Sequence, residues 1–175
     1  MIITDKYVFF LKDWLSNFTR CQIFWPDERI CYKTFSSTEQ GFMYEKAMTF
    51  KDFETANKIL QTDSPLLCKG LGRKVKNYDD KVWAEKRYDI FYNLNYLKYN
   101  QNKDLQEKLL DPKFDDKTFV ECNPNDRIWG IGYNVHDAQT TPEEQWGQNL
   151  LGKIITEVRK QLQSEELLNI VEKWT

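Results

Sequence analysis

The chain is poor in the side chains that bind metals. It has a single histidine, His136, and its four cysteines include no Cys-x-x-Cys pair. This set offers no ligand group for zinc, so we expect neither a metal nor a cofactor. The cysteines are interpreted as reduced thiols that fill the core. A cysteine nucleophile assisted by His136 is the alternative, although this histidine falls in a polar segment where exposure to solvent is more usual.

Long apolar runs and a strong net charge are also missing. No stretch of eighteen apolar residues is present, which argues against a transmembrane helix, and the first residues lack the charged-then-apolar order of a signal peptide. We therefore expect a cytoplasmic protein with no membrane partner. Lysine and arginine number 25 against 27 acidic residues, a net charge of −2. This balance gives no general attraction to nucleic acid, but it leaves a local basic groove possible.

Aromatic residues are abundant by comparison. Six tryptophans, nine tyrosines and eleven phenylalanines make up 15% of the chain. Some of these rings are expected to line a pocket for a flat ligand, while a ring-rich core explains most of them equally well. A chain of 175 residues is most simply one domain.

Hydrophobic periodicity and turn residues predict more helix than strand. Strands are predicted over Tyr7–Leu11 and Lys117–Cys122, with a hairpin of Gln22–Trp25 and Ile30–Phe35 around Pro26–Arg29. Helices are predicted up to Thr49 and over Phe53–Leu60, Pro65–Gly72, Asp80–Asn100, Asp104–Leu110, Gly147–Leu162 and Glu165–Trp174. The fold class is therefore α+β: one helix-dominated domain over residues 1–175 with a small antiparallel sheet.

The helix that ends near Thr49 carries the most informative pattern. Ser36 followed by Glu39 forms a capping box, so a helix is expected to begin there. Helical spacing then places Glu39 and Lys46 on one otherwise apolar face, with Phe42, Met43 and Phe50. Apolar surroundings disfavour the charged form of lysine, which makes its amine a nucleophile near neutral pH.

A structural interpretation of the same pair stays open. Glu39 can be the reciprocal carboxylate of the capping box, and Lys46 can extend its ammonium group to water.

Other segments combine polar side chains with glycine and tryptophan. The segment from Glu121 to Gly132 includes Asp126 and Trp129 and suits either a ribose or purine site or a self-bonded turn. Asn149 and Gly152 are expected inside a helix, where a ligand contact explains the first and a packing contact the second. The polar stretch from Ile131 to Gly147 has the length of a functional lid.

Taken in order, these motifs resemble the YbiA-like family, also called NADAR. The matching segments lie within residues 7–162, and the helix predicted over residues 163–175 lies outside the match. No motif is specific alone, but seven in register are. They are Ser16–Phe18, Ser37–Ala47, Gly72–Arg73, Trp83, Val120–Gly132, Trp146–Lys153 and Arg159.

The resemblance implies an N-glycosidase, a hydrolase that separates a base from a ribosyl group. The family's substrates are phosphorylated ribosylaminopyrimidines of riboflavin synthesis in some members and ADP-ribosylated guanine in others. Its catalytic lysine and glutamate fall on Lys46 and Glu39. Its ligand-contacting positions fall on Asn17, Phe18, Arg73, Trp83, Glu121, Asp126, Trp129, Gly130 and Asn149. Of these, Arg73 suits a phosphate, and Trp83 suits either the base or the core.

A buried lysine favours covalent capture of the sugar. In this mechanism the ribose ring opens, the Lys46 amine attacks C1 to form an imine, and Glu39 transfers protons. The expected partner is a small N-riboside or an ADP-ribosylated nucleic acid, and no obligate protein partner is evident. A non-catalytic module that binds ADP-ribose or a nucleotide is the alternative.

Overall fold

The computed structural model describes residues 1–27 and 31–172. It contains two compact units, which we call the central unit (Asn17–Lys103) and the terminal unit (Met1–Ser16 together with the chain from Asp104 onward). Helices dominate and the sheets are small, so the predicted α+β class is confirmed.

The central unit consists of one hairpin and four helices. Strands β3 (Ile23–Asp27) and β4 (Cys31–Phe35) pair antiparallel, with Ile23 opposite Phe35. The hairpin is thus confirmed, while part of its predicted turn lies outside the described residues. The helices are α1 (Thr38–Thr49), α2 (Phe53–Leu60), α3 (Pro65–Gly72) and α4 (Asp80–Asn100).

Local capping explains where three of these helices begin. The side chains of Asp52, Ser64 and Asp79 each accept a hydrogen bond from the first turn of the helix that follows. Helix α1 packs against α2, α3 and α4. Its approach to α3 is close, because a Cβ atom on Gly72 would lie 1.9 Å from the Met43 sulfur. A larger residue at this position would force the Met43 side chain to move, which favours glycine.

The terminal unit is built on a three-stranded sheet. Its strands are β1 (Ile2–Ile3), β2 (Tyr7–Phe10) and β5 (Thr118–Glu121), in the order β1-β2-β5. The first two are antiparallel, but β2 and β5 run parallel. The parallel pair was not predicted, because it joins segments more than a hundred residues apart and leaves no local signature.

A long helix, α7 (Leu150–Glu172), packs against β5. The two helices predicted over Gly147–Leu162 and Glu165–Trp174 are therefore one, and the prediction of a break was wrong. The Ser164 hydroxyl donates to the carbonyl of Lys160, which satisfies the polar group within the helix. Residues 173–175, the end of the predicted helix, lie outside the described part. Among the described helices, none is long and apolar enough to cross a membrane.

The stretch predicted as a polar lid contains regular structure. Helix α5 (Lys103–Leu109) precedes β5. The predicted lid follows β5, and it contains the short helix α6 (Val135–Ala138) and a 3₁₀ turn (Glu143–Gln145) before α7 begins. The Trp146 indole donates to the carbonyl of Thr141 (3.1 Å), and the Gly147 amide donates to that of Ile131 (2.8 Å). Tyr133, Val135 and Trp146 pack on the core of the terminal unit. These contacts anchor the stretch along its length.

Candidate functional site

The start of α1 is capped one residue later than the sequence pattern indicated. Ser37 is the N-cap, and its hydroxyl accepts from the Gln40 amide at 3.2 Å. The Gln40 side-chain oxygen accepts from both the amide (2.7 Å) and the hydroxyl (3.0 Å) of Ser36. The predicted box of Ser36 and Glu39 was thus wrong in register. The cap of α1 is thus formed by Ser37 with Gln40, and Glu39 is not its capping carboxylate.

Gln40 also joins α1 to the end of α2. Its side-chain nitrogen donates to the carbonyls of Ile59 (3.1 Å) and Thr62 (2.7 Å). The side chain is only 4% exposed and uses both ends of its amide. Sequence reasoning missed this residue. The sole signal was its place three residues after Ser37, which is the spacing of a second capping box.

Glu39 is buried at the same helix start, with 6% of its surface exposed. Its amide donates to the carbonyl of Asn17 at 3.1 Å, which places Asn17 beside it. The Asn17 side-chain oxygen and the Thr38 hydroxyl are buried, and within the described part of the chain neither has a hydrogen-bond partner. Buried polar atoms of this kind require an explanation, and a bound polar ligand supplies one.

Lys46 is half-buried, two turns after Glu39 on the same helix. Burial lowers the pKa of Lys46, while the negative charges of Asp80 and Glu39 act in the opposite direction. Its side-chain nitrogen lies 4.2 Å from the centroid of the Tyr78 ring. The Tyr78 hydroxyl donates to Asp80 at 2.7 Å. The predicted desolvation of this lysine is therefore present, together with two neighbours that the sequence did not reveal.

Aromatic rings form the apolar surroundings of α1. Phe42 stacks on Phe91 with ring centroids 4.2 Å apart, and it contacts Trp83 at 5.0 Å. Phe50 contacts Trp83 at 6.5 Å and Tyr78 at 5.2 Å. Trp83 is only 4% exposed, so the packing role that the sequence left open for it is the one seen.

Two further predicted positions of the central unit lie at its surface. Arg73 follows α3 directly and is exposed. Its guanidinium makes no hydrogen bond or ion pair with any residue that the structure describes, so it can receive a ligand. Phe18 is 38% exposed, and the Lys69 nitrogen lies 5.7 Å from its ring. The central unit thus contains Asn17, Phe18, Glu39, Lys46, Arg73 and Trp83.

The remaining predicted positions belong to the terminal unit, where a structured turn holds them. The Asp126 carboxylate accepts from the amides of Ile128 and Trp129, both at 2.9 Å. A Cβ atom on Gly130 would lie 2.8 Å from the carbonyl oxygen of Glu121, so only glycine fits against the end of β5. Asp126 and Gly130 therefore have structural roles in this turn, as the alternative interpretation allowed.

Asn149 precedes α7 and does not lie inside it, which corrects the expectation from sequence. Its backbone is left-handed, with φ of 52°, a conformation that asparagine tolerates better than most residues. The side-chain oxygen accepts from the Glu121 amide (3.0 Å), and the nitrogen donates to the carbonyl of Phe119 (2.9 Å). These two hydrogen bonds to the backbone of β5 give the Asn149 side chain a structural role. A Cβ atom on Gly152 would lie 2.1 Å from the same Phe119 oxygen, which confirms a packing role there.

Two of the cysteines, Cys68 and Cys122, are buried as core residues, whereas Cys21 is only partly buried. Burial raises the pKa of Cys68 to about 11 and that of Cys122 to about 12, so both thiols stay protonated at neutral pH. His136 is exposed in α6. No group of metal-binding side chains is found among the described residues.

Comparisons with known proteins agree with the motifs. An N-glycosidase of Acanthamoeba polyphaga mimivirus is 36% identical over 170 residues, covering 91% of this chain and 98% of the relative. A riboflavin biosynthesis protein of Vibrio vulnificus is 26% identical over 158 residues, which cover 90% of this chain and 38% of that protein. The NMR structure of Escherichia coli YbiA matches with a TM-score of 0.71 and 25% identity, covering 95% of this chain and 90% of that one. The sequence profile of the NADAR domain matches residues 9–163, nearly the whole chain, and the protein therefore belongs to the NADAR domain family.

Proposed function

We propose that this protein is an N-glycosidase in which Lys46 is the nucleophile and Glu39 the general acid–base. The general activity, hydrolysis of N-glycosyl bonds, is the one that the mimivirus and enterobacterial relatives carry in their names. The observation that carries the assignment is the pairing of a half-buried lysine with a buried glutamate on one helix whose cap is formed by other residues.

The reaction balances with water as the only co-reactant. The ribose ring opens, the neutral Lys46 amine bonds to C1, and the bond from C1 to the base breaks as the base takes a proton. The imine on Lys46 is then hydrolysed, which restores the free amine and releases the sugar. Glu39 gives the proton to the leaving base and takes one from the attacking water.

Binding is proposed to use two groups of the central unit that have no hydrogen-bond partner among residues 1–27 and 31–172. The buried Asn17 oxygen accepts from a sugar hydroxyl, and the Arg73 guanidinium pairs with a phosphate. The substrate is a phosphorylated or ADP-ribosylated N-riboside. The name of the Vibrio relative supports a pyrimidine intermediate of riboflavin synthesis, while ADP-ribosylated guanine follows from the family resemblance. Glu121 and Trp129 in the terminal unit stay sequence predictions.

Borohydride trapping tests the proposal. Incubating the protein with substrate and borohydride is expected to reduce the imine and leave a sugar adduct on Lys46, located by peptide mass spectrometry. Lys46→Met should abolish turnover and trapping but preserve folding, whereas Lys86→Met, an exposed lysine on α4, serves as the matched control. An adduct on another residue, or normal turnover by Lys46→Met, would contradict the mechanism.

The alternative, a binding module without chemistry, predicts a different result. Such a protein binds ADP-ribose but releases no base from either substrate class and gives no trapped adduct. Mass spectrometry of the products, after incubation with a ribosylaminopyrimidine phosphate and with ADP-ribosylated guanine DNA, separates the two functions and identifies the base.

A further inference from the structure

Tyr78 lies beside the lysine amine and is itself held in place. Its ring centroid is 4.2 Å from the Lys46 nitrogen, within the range of a cation–π interaction. Its hydroxyl donates to Asp80 at 2.7 Å, and Phe50 packs edge-on against its ring at 5.2 Å. Two contacts other than the lysine therefore fix the orientation of this ring.

We propose that Tyr78 and Asp80 are positioning residues for Lys46, which hold its amine against the ring and favour its charged form until substrate binds. This inference rests on the proposed role of Lys46 as a nucleophile. Neither residue belongs to the motifs by which the family was identified, and neither is suggested by the spacing on α1. The pair extends the site to the connection between α3 and α4.

Charges around the Lys46 amine influence its protonation, and Asp80 is one of them. Asp80 on α4 and Glu39 on α1 favour the ammonium form of Lys46, against burial, which favours the neutral amine. Burial and the bond to Asp80 raise the pKa of Tyr78 to about 12, and the Arg87 charge opposes that rise. The phenol therefore stays protonated near neutral pH and acts as a hydrogen-bond donor, not as a base.

Substrate binding moves this balance further toward the neutral amine. When the amine moves away from the ring toward C1 of the sugar, it loses the cation–π contact and increases its distance from Asp80. Burial, which already lowers the pKa of Lys46, then meets less opposition, so the ammonium loses its proton to water and the neutral, nucleophilic amine remains. Substrate binding thus increases the neutral, reactive fraction of Lys46.

Titration of Lys46 by competitive chemical labelling tests the inference without using enzyme activity. The labelling of Lys46 by an amine reagent is followed against pH by peptide mass spectrometry, and the midpoint is compared among variants. Tyr78→Leu removes the ring and is expected to lower the midpoint by about 0.4–0.7 pH units. Asp80→Asn removes the charge and should also lower it. Tyr78→Phe retains the ring and should keep most of the ring effect, and Asp89→Asn, exposed on α4, is the control.

The outcomes separate this inference from the proposed function. Unchanged midpoints in both Tyr78→Leu and Asp80→Asn would overturn the pairing, whatever the chemistry of Lys46. Lowered midpoints combined with an acid limb of kcat/KM that moves by the same amount would support both proposals. Lowered midpoints without any trapped sugar on Lys46 would overturn the nucleophile assignment and leave the electrostatic pairing in place.

Discussion

Glu39 and Gln40 are adjacent on α1, yet their side chains have different roles. Gln40 contacts Ser36, Ile59 and Thr62 through both ends of its amide, so its position is explained by structure alone. Glu39 is equally buried, but the cap does not require it. A mutation at Glu39 therefore tests chemistry with little interference from helix stability.

Glu39→Gln is expected to reduce the rate by roughly 10²- to 10⁴-fold, the usual contribution of a general acid–base. The unfolding free energy should change little, since Ser37 and Gln40 keep the cap. Steady-state kinetics and urea denaturation of the same preparation measure both quantities. Glu45→Gln, half-buried on the same helix, is the control. Full activity of Glu39→Gln would remove this residue from the mechanism.

The sequence left the register of this cap ambiguous. Ser36 precedes Glu39 by three residues and Ser37 precedes Gln40 by three, so both pairs satisfy the capping-box pattern. The choice between them is made by the carbonyls of Ile59 and Thr62, which accept from Gln40 and lie about twenty residues away. Tyr78 and Asp80 escaped prediction for a similar reason, because the ring contact of Tyr78 and the charge of Asp80 near Lys46 depend on how the chain folds back after α3.

Helix starts that depend only on neighbouring residues were predicted well. Asp52, Ser64 and Asp79 each cap the helix expected from the sequence, because a short polar side chain reaches the next amides without help from the rest of the fold. The continuity of α7 and the placement of Asn149 before it were not predicted, since both depend on packing against β5.

The Asp52 cap predicts a stability that depends on pH. Hydrogen bonds from the amides of Lys76 and Thr55 lower the pKa of Asp52 below its ordinary value of 3.8. The contribution is fully present above the unfolded-state pKa and is lost as pH falls through the lower folded-state value. Urea denaturation from pH 7 to pH 2 is expected to show this loss. Asp52→Asn keeps the capping oxygen and should reduce the dependence of the unfolding free energy on pH in the acid range. The same pH dependence in the variant and the original protein would contradict the role given to Asp52.

The hydrogen bonds from Gln40 to the end of α2 are expected to contribute to the unfolding free energy. Gln40→Leu removes the shortest hydrogen bonds to the carbonyls of Ile59 and Thr62 and leaves them the weak bonds from the Cys68 thiol, which should lower the unfolding free energy by about 1–3 kcal/mol. Gln61→Leu, at the exposed end of α2, is the matched control and should change it by less than about 0.5 kcal/mol. Equal losses in the two variants would show that the Gln40 bridge adds no stability.

The net charge of −2 governs how the whole molecule meets its substrates. Because no general attraction to nucleic acid exists, unmodified single-stranded DNA should fail to compete with a small phosphorylated N-riboside at low salt. Competition assays across a salt series measure this. Tight, steeply salt-dependent binding of unmodified DNA would reveal a basic groove that the overall balance conceals, and would favour the nucleic-acid substrate.

Strand β5 lies at the edge of its sheet, where backbone groups would normally stay open to pairing with another chain. Here side chains occupy that edge: Thr156 accepts from the Phe119 amide, while Asn149 bonds to the amide of Glu121 and the carbonyl of Phe119. The side-chain amide of Asn149 thus makes the two hydrogen bonds that a residue of a neighbouring strand would make with β5. The consequence is protection against edge-to-edge aggregation, provided by the same asparagine that the sequence had suggested for ligand binding.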